Sequence, residues 1–170
     1  MHNELTEIDI QKMKEELSAR KAAAQKLREA VKEARALGDL SENDEYRSAK
    51  RELGRNNSRI RYLENMLKTA IIVKTDSTEG VVGLFDEIEL QYENTTDGEP
   101  ETRKIRLVTT LRNDVFNNCI SKESPLGRAI FGRRVGERVI VHVNDKVSYP
   151  VIIKSVIKGH DDPNLPITAY

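Results

Sequence analysis

The chain has 170 residues, enough for one domain or two small ones, and its 28 Lys and Arg balance 28 Asp and Glu. That balance excludes a uniformly basic nucleic-acid coat and a polyacidic tail. With 38% hydrophobic and 33% charged residues and a mean hydropathy of −0.59, the chain can bury a core but must leave much helix surface in water. The longest apolar runs, such as residues 70–73, fall far short of the roughly 18 residues a membrane span needs, and the first residues lack a basic stretch followed by an apolar one. Cys119 has no second cysteine to pair with, and His2, His142 and His160 are too scattered for a zinc pattern. A cytoplasmic protein with no membrane segment and no metal site of its own is expected.

In chain order, Ile10, Met13, Leu17, Ala24, Leu27, Val31 and Ala34 recur at alternating steps of three and four, with Arg20 in the skipped slot. This is a heptad seam. After a break at Gly38 a second seam runs through Tyr46, Ala49, Leu53, Ile60, Leu63, Leu67 and Ala70, with Asn56 in its polar slot. Two seams of similar length joined by a short turn predict an antiparallel helical hairpin over residues 1–73, with an arm of roughly 40 Å at 1.5 Å per residue. Pairing layers about the turn sets Leu27 near Asn56 and Arg20 near Leu63, so the two polar seam residues are expected in different layers.

Beyond Ala70 the period changes to two. Residues 81–82, 88–92, 105–108, 139–143 and 150–153 read as strands. Residues 94–100 read as a turn, and 124–132 as one short helix with Ser as cap, Pro at its first position and Gly at its end. The fold class is α+β: the helical hairpin, a linker over 74–80, a small antiparallel sheet domain with one helix over 81–158, and an irregular tail over 159–170.

The hairpin turn is the chemically distinctive segment. Residues 39–45 hold four carboxylates, Asp39, Glu42, Asp44 and Glu45, and no cation. Residues 1–73 carry 15 Lys and Arg against 13 Asp and Glu, so a positive stem of 15 against nine bears a negative point. Acidic residues are what any helix start favours, at about 0.3–1 kcal/mol each. Four crowded carboxylates exceed that need, and a divalent cation is a suitable partner. Mg²⁺ takes one or two protein carboxylates beside waters and phosphate oxygens, so such a tip would complete a site whose other ligands belong to a partner. Were the second helix to have begun by Glu42, Asp44 would lie about 200° further around it and face away. Arg47 and Lys50 near the tip, and Arg51, Arg55 and Arg59 at helical spacing, suit either a solvated salt-bridged face or contact with RNA phosphates. Tyr46 suits either the seam or base stacking.

The run Gly38-Asp39-Leu40-Ser41-Glu42-Asn43-Asp44-Glu45-Tyr46 with Ala49 resembles the tip signature of the bacterial Gre transcript cleavage factors. Ser124-Pro125-Leu126-Gly127-Arg128-Ala129-Ile130-Phe131-Gly132 with Gly136-Glu137 resembles that family's second motif. The resemblance spans roughly residues 5–158. It implies an FKBP-like C-terminal domain that docks on RNA polymerase, with Ser124, Pro125, Leu126, Arg128 and Phe131 as the docking region. It also implies a hairpin that enters the polymerase's secondary channel. There Asp39 and Glu42 would help hold a Mg²⁺ of the polymerase active site while the polymerase hydrolyses the 3′ end of its own backtracked RNA. Asn43, Asp44, Glu45 and Tyr46 would support the tip, and Arg47, Lys50, Arg51 and Arg55 would guide the nascent RNA. The factor would be a monomer, an accessory to catalysis without a cofactor of its own.

Asp44 departs from the family, whose tips typically have a small residue there, and inhibitory paralogues carry more acidic tips. A channel-plugging inhibitor is therefore the alternative. The first helix has Arg20-Lys21 where many members have Arg-Pro, and residues 144–148 replace a Gly-rich turn. An isomerase or chaperone with a coiled-coil arm would need an aromatic-lined pocket, and the second half offers only Phe85, Phe116, Phe131, Tyr92, Tyr149 and Tyr170.

Overall fold

The computed structural model describes residues 3–38, 43–75, 78–93 and 98–168. The chain divides into two compact units, one built on Ile10–Ala70 and the other on Glu4–Asp9 together with Ile71–Ala169.

The first short strand, β1 (Asn3–Leu5), leads into α1 (Glu7–Ala36). Thr6 and Asp9 start this helix reciprocally: the Thr6 amide donates to Asp9 Oδ2 at 3.1 Å and the Asp9 amide to Thr6 Oγ1 at 3.3 Å. The pair satisfies two of the amides that a helix start leaves without partners. Met13, Ala24 and Ala34 are buried, and Ile10, Leu17, Leu27 and Val31 half-buried, which is the expected seam. On α2 (Asp44–Thr69) the buried residues are Asn56, Arg59, Leu63 and Met66. The stripe is thus wider than the heptad seam, because Arg59 and Met66 flank it at the same three- and four-residue spacing.

The register differs from the expected layering. Asn56 Nδ2 donates to the Arg20 carbonyl at 3.0 Å, and Arg20 Nη1 to Asn56 Oδ1 at 3.4 Å, so the two polar seam residues share a layer. The offset is one heptad, and it lets the two polar seam residues satisfy each other in one layer, a pairing that the apolar seams alone do not specify. Glu16 joins this layer, accepting from Arg59 Nε and Nη2 at 2.9 Å each and from Arg20 Nε at 2.6 Å.

After β2 (Ala70–Ile72), which pairs with β1, the second unit holds a five-stranded sheet of order β5-β4-β3-β7-β6. Its strands are β3 (Glu87–Tyr92), β4 (Glu101–Val108), β5 (Cys119–Ser121), β6 (Arg138–His142) and β7 (Ser148–Ile157). Ile88 and Leu90, Ile105 and Leu107, Val139 and Val141, and Val151 and Ile153 point to one core, capped by Ile130 of α3 (Pro125–Ile130). The sheet is mixed where an antiparallel one was expected. Two 3-10 turns at Thr110–Arg112 and Val115–Asn117 bring the chain back so that β5 runs parallel to β4, and three residues carry too little alternation to announce that strand. The strand expected at 81–82 is an isolated bridge from Val81 to Arg134. Residues 94–97 of the expected turn lie outside the described residues.

The tail beyond β7 has no regular element but is tied down. The Gly159 amide donates to Asp86 Oδ1 at 3.0 Å, and the Thr168 amide to the Leu111 carbonyl at 2.6 Å. Asp86 is fully buried and also accepts from Gly83 N at 2.7 Å and Lys158 Nζ at 2.5 Å. Arg112, also buried, donates from Nε to Asp9 Oδ1 and from Nη1 to the Asp162 carbonyl, with Nη2 beside Asp161 Oδ1, each at 2.7 Å.

Candidate functional site

At the hairpin turn the chain passes from Ala36 through Leu37 and Gly38, which has φ +132°, a conformation that glycine adopts without Cβ strain. The two carboxylates expected to meet the metal, Asp39 and Glu42, lie outside the described residues, as do Leu40 and Ser41. The description resumes at Asn43, the N-cap of α2, with φ −85° and ψ 91°. Its side chain works in both directions. Oδ1 accepts from the Tyr46 amide at 2.9 Å, and Nδ2 donates to the Ala34 carbonyl at 2.6 Å.

The helix begins at Asp44, so Glu42 precedes it, and the 200° separation expected between Glu42 and Asp44 does not apply. Asp44, with its side chain 95% exposed, lies 3.7 Å from Arg47 Nη2, a solvated contact of little energetic weight. Asp44 and Glu45 occupy the first turn, where negative charge complements the helix dipole. Tyr46 is half-buried with Lys50 Nζ 5.9 Å from its ring centroid, as a seam residue closing the hairpin would be.

Arg47, Lys50, Arg51 and Arg55 are exposed along α2. Arg59 breaks their series. It is 4% exposed, engaged with Glu16, and set with its guanidinium carbon 5.0 Å from the Tyr62 ring centroid, so it does not share the exposed face on which helical spacing alone would group it with Arg51 and Arg55. The Arg59 hydrogen bonds, reinforced by Arg20 and opposed by partial burial, hold the Glu16 carboxyl below the usual glutamate range.

In the second unit the Ser-Pro-Leu-Gly segment is partly structural. Ser124 Oγ accepts from the Gly127 amide at 3.0 Å and donates to the Ser121 carbonyl at 2.7 Å, and Leu126 packs on the core. A Cβ on Gly127 would stand 2.1 Å from the Ser121 carbonyl oxygen, so only glycine fits there. What this segment presents to solvent is Pro125, Arg128 and Phe131. Arg128 is 3.6 Å from Glu123, and Phe131 is 37% exposed with Lys122 Nζ 4.1 Å from its ring centroid. A half-exposed aromatic ring with a lysine ammonium against it suits a surface with apolar groups.

The Asn43 bridge and the Glu16–Arg59 pair were not legible in the sequence as contacts. Asn before two acidic residues is a cap signal, but its bond to Ala34 crosses the turn, and the Glu16–Arg59 pair spans 43 residues. Among the described residues no group of three or more His, Cys, Asp or Glu could hold a metal ion, and no helix is long and apolar enough to cross a membrane.

Compared with known proteins, residues 3–72 match the family model described as transcription elongation factor, N-terminal, and residues 77–158 that described as transcription elongation factor, GreA/GreB, C-terminal. The transcription elongation factor GreA of Thermosipho melanesiensis is 44% identical over 136 residues, covering 79% of this chain and 84% of that protein. That of Thermotoga maritima is 40% identical over 150 residues, covering 87% and 94%. Among solved structures, GreA factor homolog 1 of Thermus thermophilus is 23% identical, covering 93% of this chain and 100% of that one, with a TM-score of 0.43.

Proposed function

The chain belongs to the GreA/GreB family of transcription elongation factors, and from that premise we propose that it stimulates hydrolytic cleavage of backtracked RNA by RNA polymerase. The observation that carries this reading is the hairpin itself. Helix α1 ends at Ala36 and α2 begins at Asp44, so the acidic motif falls between two long helices, at the far end of an arm about 45 Å long by its 30 residues. A two-helix arm buries few residues per turn, so its length serves reach, here into the polymerase's secondary channel.

The donors fit the metal. Asp39 and Glu42 supply carboxylate oxygens, the ligand type of a hard divalent ion, and two carboxylates are what Mg²⁺ takes beside waters and phosphate. When bound, the polymerase's Mg²⁺ supplies an activated water and charge stabilisation at the phosphoryl oxygens. Asp39 and Glu42 hold that ion in the polymerase active site. Arg47, Lys50, Arg51 and Arg55 steer the RNA 3′ segment by its phosphates. Pro125, Arg128 and Phe131 dock the second unit on the polymerase. The protein acts as a cytoplasmic monomer and is an accessory to the polymerase, not a nuclease.

The test is a stalled, backtracked elongation complex carrying 3′-labelled RNA, with Mg²⁺. Short 3′ fragments should be released with polymerase present, and naked RNA should stay intact. Cleavage of RNA by the purified protein alone at a comparable rate would refute the accessory role. Cleavage that is blocked or unchanged with polymerase present would mark the protein as a channel-plugging inhibitor.

A further inference from the structure

The structure assigns to Asn43 the role of a positioning residue that clamps the two helix ends from which the carboxylate segment hangs. This rests on the proposed function, whose reacting groups are Asp39 and Glu42. A helix cap needs only an acceptor, and Ser, Thr or Asp serve as well as Asn. Asn43 does more, because its amide nitrogen reaches across the turn to the Ala34 carbonyl at 2.6 Å while Oδ1 receives the Tyr46 amide at 2.9 Å. One side chain therefore adds a second, cross-turn donor to the Ala34 carbonyl, which also accepts from the Leu37 amide at 3.3 Å, and satisfies a first-turn amide of α2. Both bonds are partly buried, and both elements belong to the same unit. Among the four good capping residues only Asn offers both a donor and an acceptor at this reach. The spacing of the two helix ends is held by a bond that capping does not require.

Asn43→Ser separates the two roles. A serine hydroxyl still caps α2 but is too short to reach Ala34. Cleavage by a backtracked complex is measured across a Mg²⁺ titration for wild type, Asn43→Ser and Asn43→Ala. Losing one neutral hydrogen bond should raise the half-saturating Mg²⁺ roughly three- to tenfold in Asn43→Ser while the rate at saturating Mg²⁺ recovers, a split that a folding defect would not give. Nitroxide labels at Leu37→Cys and Ser48→Cys should report a broader distance distribution in Asn43→Ser than in wild type. An unchanged Mg²⁺ requirement in Asn43→Ser, or impairment confined to Asn43→Ala, would overturn the clamp. If wild type fails to stimulate cleavage, the proposed function falls, and the label distances alone decide the clamp: broadening sustains it, and an unchanged distribution overturns it.

Discussion

Asp44 stands at the first position of α2, with Glu42 before the cap, and that place changes how it should be tested. Its side chain is 95% exposed and leans toward Arg47, so it contributes negative potential and not a held geometry. Asp44→Ala should retain stimulated cleavage, with the Mg²⁺ requirement shifted by about twofold at most, since solvent and Arg47 already screen the charge. Asp39→Ala and Glu42→Ala should each reduce stimulation on the order of a hundredfold, the scale of removing one pre-organised group at a reacting centre. They should leave affinity for polymerase nearly intact if docking belongs, as proposed, to the surface of Pro125, Arg128 and Phe131. The comparison is a Mg²⁺ titration of all three variants beside a competition binding assay. Loss in Asp44→Ala equal to that in Glu42→Ala would make Asp44 a ligand, and a strong gain would reveal the native tip as inhibitory.

At the level of the hairpin, apolar periodicity told which faces meet but not which layers. Met13, Ala24, Ala34 and Leu63 are buried as their spacing predicts, whereas register depends on where the turn begins and on polar bonds that no local pattern announces. Arg20 with Asn56 and Glu16 with Arg59 supply those bonds, and a polar layer in a helical seam is the best-attested means of fixing register. Arg59→Ala should cost about 2–4 kcal/mol in the unfolding of this unit. That is slightly below a fully buried pair, because Glu16 keeps about a fifth of its side chain exposed. The same pair sets a pH dependence. The Arg59 hydrogen bonds lower the Glu16 carboxyl in the folded hairpin relative to the unfolded chain, so the unfolded state binds more protons at acidic pH and stability rises with pH. The contribution is complete above the ordinary glutamate value of about 4.3 and is lost as pH falls through the depressed folded value. Helical circular dichroism melts between pH 3 and pH 6 should show a smaller pH effect in Glu16→Gln than in wild type. An equal slope in both would remove Glu16 from the account.

Taken over the whole chain, legibility followed sequence distance. The strands with clean alternation were visible, as was the α3 segment with its Ser cap and first-position Pro, because each is set by neighbours within a few residues. The parallel strand β5 and the fastening of the tail were not, since their partners lie far away in the sequence. Arg112 is the extreme case: it reaches Asp9 across 103 residues and the Asp162 carbonyl across 50, and it lies in a connection that periodicity leaves blank. It also rests with its guanidinium carbon 5.1 Å from the Phe85 ring centroid, so within the second unit one side chain ties the start of the chain, the loop after β4 and the tail. Its guanidinium is matched to this task, because its fork donates to two acceptors, Asp9 Oδ1 and the Asp162 carbonyl, while its charge lies against Asp161, a combination a lysine ammonium cannot reproduce. Arg112→Met fills a similar volume but leaves the Asp9 carboxylate fully buried and Asp161 nearly so without their cation. The expected cost is about 3–5 kcal/mol in urea unfolding of the full chain, with Arg112→Lys intermediate. Asp9→Asn combined with Arg112→Met should cost less than the sum of the single changes, because removing one orphaned charge relieves part of the penalty. A loss under about 1 kcal/mol in Arg112→Met, or strict additivity in the double variant, would show that the tail and the chain start are held by packing alone and not by this cation.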